Sequence, residues 1–177
     1  MIFDLLFEAI KTRLLSTAPD EATPVKLVDW FNDQPDKVET GVIDGLTMPA
    51  ALVRFEPPNW QAFGRKLYRA DAIVYVDIMQ GAMDSLVSDA KASQRTRATT
   101  VLENVQAIAE ALNALRGDNF SAFRLVMMEP DHAYTKVRVD TLGFLTTVST
   151  SLDPKTWIRL TPELLDTYRV VRTLDEI

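Results

Sequence analysis

The chain has 177 residues, 47% of them hydrophobic and 25% charged, with six Gly, nine Pro and no Cys, which is enough to bury the core of one globular domain. Without sulfur that can become a thiolate, a disulfide scaffold, a thiolate zinc site, a Cys nucleophile and an iron–sulfur cluster are excluded, and no run approaches the ~20 apolar residues that cross a bilayer. The net charge of −6 is uneven, with five Lys/Arg against ten Asp/Glu in residues 1–60, and the small basic groups Arg65-Lys66-Arg69 and Lys91-Arg95-Arg97 lie beside carboxylates, so no sequence-specific nucleic-acid partner is expected.

Phe3, Leu6, Ile10 and Leu14 fall at three-to-four spacing while Asp4, Glu8, Lys11 and Arg13 take the other side, which predicts an amphipathic helix of about fourteen residues ended by Pro19. Asp4 stands where a secretory signal would carry a basic residue, so no targeting peptide is expected and an intracellular product is the default. Val25 to Trp30 reads as a short strand and the Asp-, Pro- and Gly-rich stretch from Asn32 to Gly45 as a surface loop. Ala50 to Phe55 is a strand stopped by Pro57-Pro58, and Asn59 to Gly64 a connection.

From Leu67 to Met79 the chain alternates: Ala70, Ala72, Val74, Val76 and Ile78 face one way, Arg69, Asp71, Tyr75 and Asp77 the other, as in a strand with one covered face. Asp84 to Ser93 is a polar approach to a helix expected from about Ala92 to Arg116, carried by Val101, Val105, Ile108, Leu112 and Leu115 and closed by Gly117. Strands follow at Phe123 to Met128 and Lys136 to Thr150, joined by a turn around Pro130-Asp131-His132. From Leu152 no strong period is seen, and a short helix after Thr161-Pro162 fits Thr161 as its cap.

Strands joined by short connections pair antiparallel, and amphipathic helices must cover the apolar face they make. The expected fold is therefore α+β: a two-layer sandwich whose mainly antiparallel sheet of four to five strands is covered by two helices. Residues 1–150 form the domain, and 151–177 an extended C-terminal tail that packs on its own or a neighbouring subunit.

Residue chemistry gives little sign of catalysis. His132 is the one histidine and reads as a turn residue, since an acid/base pair also needs an orienting group. The acids Asp29, Asp33, Asp36, Glu39 and Asp44 lack the spacing of a calcium loop, so no metal is expected. Asp71 and Asp77 share a strand face about 20 Å apart at ~3.3 Å per residue, too far for a glycosidase pair. With no phosphate loop, dinucleotide fingerprint or serine elbow, a binding or structural protein without a cofactor is expected rather than an enzyme. The large rings stand beside loops: Trp30-Phe31 before Asn32 and Asp33, Trp60 after Pro57-Pro58-Asn59, and Trp157 in the tail. Such rings either pack at the edge of a core or anchor a protein interface.

The order of segments resembles the tail-terminator (tail-completion, minor tail) proteins of bacteriophages and prophages, including a group from Bacteroides-type phages. The likeness lies in the helix Ile2 to Ile10, the segment Val28-Asp29-Trp30-Phe31-Asn32-Asp33-Gln34 and the strand Met48-Pro49-Ala50-Ala51-Leu52-Val53-Arg54-Phe55. It continues through the Trp60 loop, the strand with Ala70-Asp71-Ala72, the helix after residue 92, and Glu129-Pro130-Asp131-His132, covering about residues 1–150. Thr141-Leu142-Gly143-Phe144 departs from the Asp or Tyr that such proteins often carry near the end of the last strand.

The resemblance implies a virion structural protein, made in the host cytoplasm, that joins copies of itself into a ring, typically of six, and caps a finished tail tube. Its partners would be a tail-tube protein and a head-completion or connector protein, with no membrane involved. A closed ring needs a heterologous interface, which a sheet edge or the tail could supply. Interaction residues implied are Asp29, Trp30, Phe31, Asn32, Asp33, Trp60 and Trp157, with the acidic stretch Asp29 to Asp44 making an axial contact on the tube. A neck or connector ring protein of a short-tailed phage, and a non-viral α+β ligand-binding or regulatory domain, are the alternatives.

Overall fold

The computed structural model describes residues 2–16, 23–43, 46–63, 67–81, 92–131 and 133–151. His132, residues 82–91 of the approach before the long helix, and the C-terminal tail lie outside them, as does Pro19, whereas Pro130 and Asp131, expected in a turn, are strand residues that extend the strand expected to end at Met128. The first helix, α1 (Ile2–Leu14), buries Leu6, Ile10 and Leu14 of the expected stripe, with Ile2 and Phe7 beside them and Phe3 half-buried, and carries Asp4 in its first turn and Lys11 and Arg13 in its last, where their charges suit the helix dipole. There follow β1 (Leu27–Trp30), α2 (Gln34–Glu39), β2 (Ala50–Phe55), β3 (Gln61–Ala62), β4 (Tyr68–Gly81), α3 (Ala92–Leu112), β5 (Arg124–Asp131) and β6 (Val137–Thr150).

The fold is α+β with one mixed sheet of six strands in the order β1-β2-β4-β6-β5, β3 pairing β4 beyond the end of β2. The four-to-five-stranded expectation is corrected on two points. The two-residue β3 forms within the presumed connection after Trp60, and β1 lies parallel to β2, Leu27 opposite Ala50 and Trp30 opposite Val53. A parallel pair requires a crossover, and the segment read as a surface loop supplies it: residues 34–39 are the helix α2, with Pro35 in its first turn and Gln34 and Pro35 buried. All other pairings are antiparallel, the longest running from Tyr68 opposite Thr150 to Gly81 opposite Val137.

The helix-covered face holds the main core. Ala70, Ala72, Val74, Val76 and Ile78 of β4 and Leu142, Phe144 and Val148 of β6 pack with the stripes of α1 and α3, including Leu6, Ile10, Val105, Ile108 and Leu112. Burying one such Leu, Ile or Phe contributes about 1.5–3 kcal/mol, so this layer dominates the stability of the domain. Arg13 ties the helices together, its Nε donating to the Ala111 carbonyl at 2.9 Å. At the other end of α3, Gln80 donates to the Val101 carbonyl at 3.2 Å and accepts from Asn104 at 2.9 Å, so the buried amide is satisfied within the layer.

The long helix ends earlier than expected, at Leu112, with Ala114 in the left-handed region at φ 68°. Gly117 does not close it; it makes room. A Cβ there would stand 2.5 Å from the ring of Phe120, which continues through Phe123 to Phe144 at centroid spacings of 5.5 and 5.8 Å.

On the opposite face a smaller cluster, Ala50, Leu52, Met79, Val137 and Val139, is covered by Val38 of α2 with Phe31, Leu46, Met48 and Tyr134. The sandwich thus gains a partial third layer at one end.

Candidate interaction surface

Trp30 closes β1 on the helix-covered side. Its ring stacks on Phe7 of α1 at 4.5 Å with 9° between planes and meets Phe55 edge-on at 5.4 Å, yet 39% of the residue stays exposed. It is both a core-edge residue and an apolar surface at the sheet's margin. Asp29 is exposed and its Oδ1 accepts the Trp30 N–H at 2.8 Å, which holds the carboxylate against the strand.

Phe31 turns to the other face. The guanidinium of Arg54 lies 5.6 Å from its ring centroid and 4.4 Å from that of Tyr75, an arrangement in which the ring faces attract the cation. Arg54 Nε donates to Asp77 Oδ2 at 2.8 Å, and the Thr141 hydroxyl donates to Asp77 Oδ1. Asp77 is only 3% exposed, so these donors replace the water its charge has lost. The sequence held a signal for this group: Arg54 and Asp77 interrupt apolar strands at positions on the face opposite the main core.

Asn32 and Asp33 lead into α2. The Asn32 N–H donates to Gln34 Oε1 at 2.6 Å, its carbonyl accepts Lys37 Nζ at 2.6 Å, and Gln34 Nε2 donates to the Trp30 carbonyl at 2.7 Å. Asp33 sits at the helix start with φ 53°, a left-handed conformation that Asp tolerates better than most residues, and makes no side-chain cap. Asp29, Asp33 and Asp36 remain exposed, while the Glu39 carboxylate is engaged by the segment before β6. It accepts from the Thr135 hydroxyl, from the Thr135 N–H at 3.1 Å and from the Lys136 N–H at 2.9 Å, and Lys136 Nζ donates to the Glu39 carbonyl at 2.6 Å. The Thr135 hydroxyl, then the Lys136 N–H, hold the Glu39 carboxyl below its ordinary value of 4.5. The acidic stretch is therefore a strapped crossover from which three carboxylates project, not a free loop.

Trp60 is half-buried against the main core, far along the chain from Trp30, and Trp157 lies outside the described residues. The expected site residues thus fall into one group, Asp29 to Asp33, and one separate ring. Sequence reasoning did not single out Val126 and Met128, 49% and 52% exposed on the edge strand β5. Their only signal is apolar residues continuing on both faces of a strand, which resembles burial.

A second ion pair lies on the helix-covered face of β6. Arg138 holds Asp140 through Nε–Oδ2 at 2.6 Å and Nη2–Oδ1 at 2.7 Å, and Asp140 is 4% exposed. The hydrogen bonds to Asp140 raise the pKa of the guanidinium above its ordinary value. Among the described residues no three His, Cys, Asp or Glu side chains gather as a metal site would require, and no helix is long and apolar enough to cross a membrane. No protein-family model and no curated protein sequence matches the chain.

Proposed function

We propose that this chain is a structural subunit of a phage virion that assembles as a ring and completes the tail tube, joining it to the head connector. The observation that carries the reading is a pair of sheet edges, at opposite ends of one strand order, that no further strand covers among the described residues. β1 runs with β2, and β2, β4, β6 and β5 then alternate, so β1 and β5 point in opposite directions. A second copy set beside the first in the plane of the sheet therefore brings its β1 against β5 as an antiparallel pair. Such a contact is heterologous and generates a ring when its rotation closes.

The edges differ in a way that suits pairing between unlike surfaces. β5 offers Val126 and Met128, and β1 ends in the half-exposed ring of Trp30. The register shift between Leu125 and Met127 and the missing N–H of Pro130 restrict which stretch of β5 a neighbour can use. That restriction favours one register over open-ended growth. Asp29, Asp33 and Asp36 then form an acidic patch beside the β1 edge, suited to a basic surface on a tail-tube protein.

Light scattering coupled to size-exclusion chromatography, alone and with the tail-tube protein of the same phage, tests the reading. A closed oligomer of uniform mass is expected, broken by a Val126→Lys, Met128→Lys double substitution. Charge reversal at Asp29, Asp33 and Asp36 is expected to leave the oligomer and abolish tube binding. A chain that stays monomeric both alone and with the tube protein overturns the proposal.

A further inference from the structure

We infer that neighbouring copies pair through β1 and β5 in one register, with Val28 opposite Met128 of the next copy; the inference rests on the ring reading and specifies its contact. The ladder fixes which backbone groups point out from each edge. The Phe31 N–H donates inward to the Val53 carbonyl at 2.9 Å, so by strand alternation Leu27 and Asp29 also point to β2, while Val28 and Trp30 point outward. At the far edge, Ser121 N–H donates to the Thr147 carbonyl at 2.9 Å and Ser149 N–H to the Asn119 carbonyl at 2.8 Å, so the odd-numbered residues of β6 turn their peptide groups to the β5 side. Their partners Met127 and Glu129 face back to β6, and Leu125, Met128 and Pro130 point outward.

Most of these outward groups are already held within the chain. Asp29 Oδ1 accepts the Trp30 N–H at 2.8 Å and Gln34 Nε2 donates to the Trp30 carbonyl at 2.7 Å, which closes the end of β1. Just before the strand, the Lys26 N–H is taken by the Pro49 carbonyl at 2.9 Å. On β5 the Leu125 N–H donates to Asn113 Oδ1 at 3.4 Å, and Pro130 has no N–H to give. Among the described residues, Val28 on β1 and Met128 on β5 each keep both an outward N–H and an outward carbonyl unpaired. Set opposite each other in antiparallel strands, they exchange two hydrogen bonds. Both side chains lie on the helix-covered face, Val28 in the main core and Met128 in register with Leu142, so the sheet continues with its helices on one side. The exposed ring of Trp30 then stands diagonally across from the exposed side chain of Met128 of the next copy, within reach of a sulfur–ring contact. Moving the neighbour by two residues loses the match in either direction. One shift sets Trp30 against Met128, which requires Asp29 and Gln34 to release the backbone and brings the Asp29 carboxylate opposite Glu129. The other sets Met128 against Lys26, whose N–H is held by Pro49.

Disulfide trapping of the full chain tests this, because the sequence has no Cys to compete. In the inferred register Leu27 faces Glu129 of the next copy as a non-hydrogen-bonded pair, with Cβ atoms about 4.5 Å apart, within reach of a disulfide. The double variant Leu27→Cys, Glu129→Cys should therefore oxidise to a covalent ladder on a non-reducing gel. Leu27→Cys, Met127→Cys places its thiols diagonally, about 7–8 Å apart, and should link at least about tenfold more slowly. Light scattering with Leu27 intact gives a second measurement. Met128→Pro removes the outward donor without touching a bond to β6 and should dissociate the oligomer, whereas Met128→Ala keeps the N–H and should preserve it. Equal effects of the two substitutions overturn the backbone pairing. An oligomer whose thiols at 27 and 129 do not link, or link no faster than those at 27 and 127, refutes this register and leaves the ring. A chain that is monomeric and unlinked, alone and with the tail-tube protein, refutes both.

Discussion

Asp77 is the charge on which the open face depends, and replacing its partner gives the sharpest test of how that face is held. Its carboxylate is 3% exposed and accepts from Arg54 at 2.8 Å and from the Thr141 hydroxyl. Breaking a fully buried pair by removing one partner costs about 3–5 kcal/mol, because the remaining charge is stranded. Here the Arg54 side chain is 43% exposed, so water already shares in the interaction and the electrostatic cost falls to roughly 1–2 kcal/mol. Loss of the stacked guanidinium over Tyr75, 4.4 Å from the ring centroid, adds about 0.5–1 kcal/mol. Arg54→Met should therefore destabilise the protein by about 1.5–3 kcal/mol, lowering a urea midpoint by roughly 1–2 M at the m-values of a small domain. The double variant Arg54→Met, Asp77→Leu removes both charges. It should recover at least about 1 kcal/mol of that loss, as residues that share one buried interaction are non-additive. Urea unfolding followed by fluorescence measures all three chains. If Arg54→Met shifts stability by under about 0.5 kcal/mol, or the two changes add, the desolvation argument is wrong.

Gly117→Ala should lower the melting temperature, since its methyl would stand 2.5 Å from the Phe120 ring; overpacking of about 1–3 kcal/mol corresponds to several degrees by calorimetry. An unchanged melting point would mean that Phe120 swings aside freely. Phe123→Ala, which empties a 2%-exposed position between Phe120 and Phe144, should cost about 3–5 kcal/mol in the same assay. Glu39 sets a pH dependence: its folded pKa is depressed, so its contribution is fully present above 4.5 and is lost as pH falls through the folded value. Amide exchange in α2 should accelerate across that acid range, and Glu39→Gln should remove the pH dependence; identical profiles would sever the link.

What could be read locally is what local physics decides. The period of two in β4 and the stripe of α1 need only the side chains themselves, and each lands on the face its spacing assigns. The exposed carboxylates of Asp29 and Asp33 were legible too. The crossover was not. An Asp-, Pro- and Gly-rich stretch has the composition of a loop, and α2 is held by Glu39 reaching Thr135 and Lys136, residues 96 and 97 positions away. The parallel pairing of β1 with β2 follows from that long-range strap, so it had no trace in the strands themselves. Gly117 shows the converse: the local rule assigns a glycine after a helix to its end, and the packing of Phe120 gave it a different task.

The two faces and two edges of the sheet place different limits on what can bind them. The helix-covered face is closed, its core residues sealed between β4, β6 and the two long helices, so no partner can reach it without unfolding. The other face carries Arg54, Tyr75 and Asp77 in adjoining rows, and a cover there must leave the guanidinium hydrated or satisfied, which favours an amphipathic segment over a flat apolar one. The edges ask instead for a strand, and Pro130 on β5 denies one backbone donor to whatever arrives. Contacts on the face and contacts at the edges therefore draw on different backbone and side-chain groups, so one does not exclude the other.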